Sequence, residues 1–233
     1  MVEKLTLHLQ KQSTFMREPL QVDSSWLSPF RFLATGNSYQ SLQYSFRVEA
    51  STICKFIPEV CKAIIAVYND KVLHCPKTEE DWKEVAARFT SRWNYHNCLG
   101  AVDGKHIAIK KPSNAGSYYY NYKGFHSNVL MAVADATYKS QVLRERIYSY
   151  RLSRARPVVE NAFGILSQRF RCFYTTMQQN PDTINLITIC ACVLHNLILI
   201  RYPHAISEVV YEDPDTHDLI PGGWRTEQHL QGL

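Results

Sequence analysis

Hydrophobic positions recur at helical spacing through the first hundred residues. Ile53, Ile57, Val60/Cys61, Ile64 and Tyr68 share one face, which predicts a helix capped by Ser51 and interrupted in its pattern by Pro58. Asn37-Ser38 can cap a shorter helix that ends near Phe46, and Arg47-Val48-Glu49-Ala50 reads as a tight connector. Two helices about so short a turn, over about residues 37–68, fit either a helix-turn-helix or an ordinary helical hairpin. The outer side of the second helix offers Lys55 and Lys62 beside Glu59, without an arginine. In "PKTEEDWKEVAARFTSRWN", Thr78 and Asp81 match a capping box, and Trp82, Val85/Ala86, Phe89 and Trp93 form the apolar stripe of a further helix.

The period then changes. "CLGAVDGKHIAIKKP" alternates as a strand does, with Leu99, Ala101, Asp103, Ile107 and Ile109 on one parity. "SNVLMAVADA" is apolar almost throughout, as in a sheet covered on both faces. A tyrosine-rich connection, "SNAGSYYYNYKGFH", lies between them, and the two runs predict a two-strand antiparallel hairpin that needs further strands or a helix to be stable. Val159, Ala162/Phe163, Leu166 and Phe170 then mark a helix with Pro157 in its first turn. A last helix, Asp182 to about Tyr202, is apolar nearly all round and is expected to be buried. From Pro203 the chain is polar and is expected to be a flexible tail.

Composition narrows the class only slightly. At 233 residues the chain can bury a real core. Its apolar run Leu186–Ile200 contains His195 and Asn196 and is not read as a membrane span, and "MVEKLTLHLQKQ" lacks the apolar run of a secretory signal. Seven cysteines without a CxxC pair argue for small buried hydrophobes, with Cys54 and Cys61 at core spacing, and against a disulfide framework or a zinc site. The net charge of +5 is modest, but it is unevenly placed. Between Lys139 and Arg171 eight basic residues face only Glu145 and Glu160. That stripe fits phosphate binding and a solvated helix face about equally well.

Two carboxylates are candidates for chemistry. Asp103 lies on an otherwise apolar strand, where burial is costly unless a cation or donor meets it; the Asp-Gly pair can also be a turn signal. Glu160 lies beside its helix's core positions, and Arg154 and Arg156 precede it closely enough to pair with it on the surface. His106 and His126 belong to no metal-ligand spacing, and Asp135 before "ATYK" reads as a turn residue.

Several motifs together resemble one family. "NCLGAVDGKHIAIKKP", "GSYYYNYKGFHSNVLMAVADATYK" and "YRLSRARPVVENAFGILSQRFRCF" are similar to segments of the PIF/Harbinger transposases and the nuclease-like host proteins derived from them, and "ACVLHNLI" adds to the match. The resemblance implies an α+β or α/β chain. A helical region with a helix-turn-helix-like segment would fill residues 1–97, an RNase H-like domain 98–202, and the tail 203–233. It assigns Asp103 and Glu160 as catalytic and metal-holding acids. Lys105, Lys110, Lys111, Lys123, Arg151, Arg154 and Arg156 become the basic side chains expected to meet DNA. Mg²⁺ or Mn²⁺ is the implied cofactor, DNA and a Myb-like DNA-binding protein the implied partners, and the nucleus, with or without the cytoplasm, the implied location.

One part of the family pattern has no counterpart. A third acid is expected on a later strand, yet Lys139 is followed almost directly by "LRERIYSYRLSRAR". The join at 139/140 therefore reads as an internal deletion, and the domain as incomplete: a two-strand hairpin plus helices. Two-metal nucleases hold cations about 4 Å apart with very few carboxylates, so losing one impairs the reaction. The alternative is a non-catalytic remnant that binds DNA or protein. Lost neighbouring strands would also leave sheet edges open to self-association.

Overall fold

The computed structural model describes Leu5, Leu9 and residues 22–73, 75–93, 95–137, 139–142, 156–202, 211–212 and 219–220. It is an α+β protein. The chain divides into two compact units, each made of separated stretches. One holds Met1–Leu73, Gly104–Leu130 and Ile165–Leu194, and the other holds His74–Asp103, Met131–Gly164 and His195–Leu233.

The first unit is built on helices α1 (Val22–Thr35), α2 (Tyr39–Phe46) and α3 (Ala50–Val72), which pack on one another. Ser38 caps α2 by accepting from the Ser41 amide at 3.2 Å, as its sequence predicts. Arg47 then takes a left-handed conformation, φ 54°, which turns the chain within three residues into α3. Ser51 is not the cap of α3: the helix begins at Ala50, and Gln43 on α2 accepts from the Ala50 amide at 3.2 Å instead. A side chain from the preceding helix thus satisfies a first-turn donor, a tertiary solution that local propensity does not reveal. The predicted stripe of Ile53, Ile57, Val60, Cys61, Ile64 and Tyr68 is buried in full, and α3 continues across Pro58. Cys54 is exposed, because it falls just past the edge of that stripe, beside Ile53.

Gly36 ends α1. Its amide donates to Phe32 O at 2.8 Å and its φ is +70°, the left-handed cap that glycine adopts most easily. A Cβ there would lie 2.9 Å from Thr175 Oγ1 and 3.1 Å from Cys172 Cα, against the short 3₁₀ turn Arg171–Tyr174. Gly36→Ala is therefore expected to destabilise by about 2 kcal/mol from backbone strain alone, lowering the melting temperature by about 4–8 °C. An unchanged melt would show that α1 need not stop there.

Helix α4 (Glu79–Trp93) opens on the predicted capping box: Asp81 N donates to Thr78 Oγ1 at 3.2 Å and Thr78 N to Asp81 Oδ2 at 3.1 Å. Its stripe is covered only in part. Phe89 is fully buried, while Trp82, Val85, Ala86 and Trp93 are half-buried, and Trp93 Nε1 donates to Ala136 O at 3.1 Å.

The sheet has three strands in the order β1-β2-β3, with β1 Ala101–Ala108, β2 Ser127–Ala134 and β3 Ser140–Val142. Ile109 N donates to His126 O at 2.9 Å, so the end of β1 meets the start of β2 and the pair runs antiparallel. The expected two-strand hairpin thus gains a third member. The reason lies at the join. Asp135 Oδ1 accepts from Thr137 N at 2.8 Å and Lys139 N at 2.9 Å, and Asp135 N donates to Lys139 O at 3.0 Å. This closed turn folds the chain back, pairing Ala134 with Ser140 and Ala132 with Val142.

Both outer edges of the hairpin are met, at least locally. β3 covers the end of β2, and a parallel bridge joins Ile109 to Met177, with Met177 N donating to Ala108 O at 2.9 Å. The second strand is not covered on both faces, however. Leu130, Ala132 and Ala134 are buried, whereas Val129 and Met131 are 48% and 37% exposed. An apolar run cannot by itself tell how many of its faces are covered.

Helix α5 (Arg156–Arg169) starts one residue before Pro157, which therefore sits in its first turn. Val159, Ala162, Phe163, Leu166 and the following Phe170 are buried as expected. Helix α6 (Pro181–Arg201) has the length and apolarity of a membrane span, contrary to the sequence reading, but two thirds of its apolar window is buried within the protein, as befits a core helix. His195 and Asn196 are themselves fully buried on it. Within the expected tail, two short strands, Tyr211–Glu212 and Leu219–Ile220, pair antiparallel.

Candidate functional site

Strand β1 carries Asp103 and Lys105 on the parity of Ala101, Ile107 and Ile109. The three apolar residues are buried, and the two charged ones are half-buried between them. Asp103 is the last residue of its stretch in the second compact unit, and Glu160, exposed in the second turn of α5, belongs to that same unit. Both predicted acids thus fall within that unit, Asp103 at its boundary inside β1, with 56 residues between them in sequence.

Among the described residues no group of three or more His, Cys, Asp or Glu side chains could hold a metal ion. Asp103 and Glu160 alone do not fit the acid set of a two-metal nuclease. His106 and His126 each contact neighbouring side chains. His106 Nδ1 lies 2.8 Å from Ser127 Oγ, with the rings of Tyr122 and Phe125 edge-on at 5.7 and 6.3 Å; His126 packs edge-on to Tyr120 at 5.3 Å.

Cys61, Cys172, Cys190 and Cys192 are buried. Burial pushes the Cys172 thiol up to about 12. The hydrogen bond with Cys61, reinforced by burial, raises Cys190 well above the ordinary thiol range. A thiol so displaced stays protonated at neutral pH and makes a poor ligand or nucleophile.

The basic candidates separate into two groups. Lys105 is half-buried, and burial followed by the nearby Lys123 ammonium lowers its pKa. The fold has thus brought together two lysines 18 positions apart. Lys110 and Lys111 follow β1 and are exposed. Arg151 and Arg154 lie outside the described residues, and Arg156 opens α5 with its side chain outside them.

Sequence reasoning passed over the tyrosines of the connection between β1 and β2 as site residues. Tyr118 and Tyr122 are 86% and 85% exposed and Tyr120 is 56% exposed, in a loop held by its own hydrogen bonds. Asn121 anchors it: Oδ1 accepts from Lys123 N at 2.9 Å and Phe125 N at 3.3 Å, and Nδ2 donates to Ser127 Oγ at 2.8 Å. The run of four tyrosines in five residues was the available signal.

Comparison with known proteins agrees with these motifs. The profile of the DDE superfamily endonucleases matches residues 139–196, a stretch that contains Glu160. The Bos taurus protein named "Putative nuclease HARBI1" is 21% identical, over all of this chain and 81% of its own length. The Rattus norvegicus protein of the same name is 21% identical over 85% of this chain and 73% of its own. The alignment with the cattle protein extends over 291 positions although this chain has 233 residues, so that relative carries sequence between matched segments that is lacking here. No solved structure matches the chain at a significant level.

Proposed function

We propose, for a chain that belongs to the family of PIF/Harbinger transposase-derived nucleases, that it is a DNA-binding, nuclease-like protein whose cutting is impaired by an incomplete acidic site. The observation that carries this reading is the retention of Asp103 and Glu160 in one compact unit, without a metal-competent group of three among the described residues. The antiparallel succession β1-β2-β3 followed by α5 supports an RNase H-like core from which a part is missing. The extra aligned positions in the cattle relative support an internal deletion as the origin of that gap. A divalent cation is the cofactor of the ancestral reaction, and DNA is its substrate.

The alternative, a remnant that only binds DNA or protein, is favoured by the exposed Lys110, Lys111 and Lys123, which remain available for phosphates whatever the state of the acids. A nuclear location and a Myb-like partner belong to the family reading, and self-association would use the part of the β1 edge beyond the Met177 bridge. Binding comes first experimentally. In chelator, duplex DNA is expected to bind with an affinity that falls steeply with salt. The double substitution Lys110→Glu/Lys111→Glu should lower the logarithmic salt slope by about 2. Absent or salt-independent binding rejects the DNA reading.

A further inference from the structure

We propose that the loop Ser117–His126 is a docking platform for unpaired nucleotides of DNA, with Tyr118, Tyr120 and Tyr122 as stacking faces and Lys123 as the phosphate partner. The inference rests on the DNA-binding reading above and adds the strand state that this surface selects.

Three independent features lead to it. Each of these tyrosines makes one edge-on ring contact, Tyr118 with Tyr119, Tyr120 with His126 and Tyr122 with His106, and leaves most of its side chain uncovered. Tyr119 and Phe125 are its half-buried aromatics, while Tyr118, Tyr120 and Tyr122 remain mostly in solvent. Exposing three large aromatic side chains within five residues forfeits burial that the fold could have used.

The loop is also fixed. Tyr118 N donates to Ala115 O at 3.0 Å, Tyr120 N to Ser117 O at 2.9 Å and Ser127 N to Tyr119 O at 2.8 Å, and Gly124 supplies the left-handed turn at φ +85°. A rigid backbone presents its rings with little ordering left to do on binding. Finally, the charge is of the right sign and in the right place. Lys123 Nζ lies 5.7 Å from the Tyr122 ring centroid, and both side chains are exposed. A phosphate held by Lys123 would lie beside a base stacked on Tyr122.

Duplex DNA offers phosphates but hides its base faces. Single strands offer both, and aromatic side chains beside a cationic track are the sequence-tolerant way to hold them. The surface therefore fits frayed ends, flaps or melted DNA better than closed duplex.

Fluorescence anisotropy of the full chain, in chelator, with labelled oligothymidylate and with a duplex of equal length tests this. Tyr118→Ala and Tyr122→Ala should each weaken single-strand binding about tenfold and leave duplex binding unchanged. The corresponding phenylalanine variants should restore it, since they keep the ring and lose only the hydroxyl. Lys123→Ala should reduce the single-strand salt slope by about 0.7. Alanine variants that leave oligothymidylate affinity intact, or weaken both DNA forms equally, overturn the platform while duplex binding still stands. Failure of the parent chain to bind either form overturns the underlying DNA reading as well.

Discussion

Supercoiled plasmid incubated with the purified chain and Mg²⁺ or Mn²⁺ is expected to stay closed, and Asp103→Ala and Glu160→Ala are expected to behave as the parent does. The argument is one of charge. Two cations close together repel, and their binding depends on carboxylates that neutralise them and fix their separation. Here β1 supplies one acid and α5 another, with no group of three ligand-type side chains among the described residues. Loss of groups that merely orient a metal ligand costs about 10- to 100-fold in metal affinity or activity. If a direct ligand is missing, as proposed, cleavage is expected at least about a hundredfold below that of a relative with all three acids. Metal-dependent nicking that both substitutions abolish would mean that two acids suffice or that a third reaches them, and the impaired-nuclease reading would have to be abandoned.

The helical part of this fold was legible because its determinants are local. The stripe from Ile53 to Tyr68 is periodic over more than four turns, and its burial follows from that period alone. Ser38 and the Thr78–Asp81 pair cap their helices through side chains within a few residues of the amides they serve. Ser51 misled because the helix begins earlier, at Ala50: Glu49 O accepts from the Thr52 and Ile53 amides, and Gln43 from the preceding helix accepts from the Ala50 amide. Cys54 misled for a similar reason: a seven-residue spacing matches a helical period only approximately, and the stripe's edge fell between Ile53 and Cys54.

The sheet was less legible. β3 is three residues long, too short to show alternation, and its partners lie across a turn. The exposure of Val129 and Met131 depends on what packs over the sheet, which no pattern within the strand can report. As for the site, nothing local distinguishes Asp103 or Glu160 from a turn aspartate or a surface glutamate. Family motifs singled them out, and the fold's contribution was to assign both to one unit. The pairing of Lys105 with Lys123 became visible only when the chain between them folded back.

The join between the two halves makes its own prediction. Asp135→Ala is expected to cost about 2–3 kcal/mol, because a charged acceptor serving two backbone amides is worth more than an ordinary hydrogen bond. Thr137 N and Lys139 N would lose their acceptor, and Thr137 Oγ1, now 2.8 Å from Asp135 Oδ1, would lose its own. Once that turn opens, only a short ladder from Ala132–Val142 to Ala134–Ser140 remains to hold β3. Amide exchange at Val133 and Gln141 should accelerate more than exchange in α3, and the melting temperature should fall by about 5–10 °C. Asp135→Asn retains an acceptor oxygen without the charge and should recover about half of the loss. Neutral behaviour of Asp135→Ala would instead identify residues 135–142 as a passive splice, and the edge of β2 would then owe nothing to the strand that follows the join.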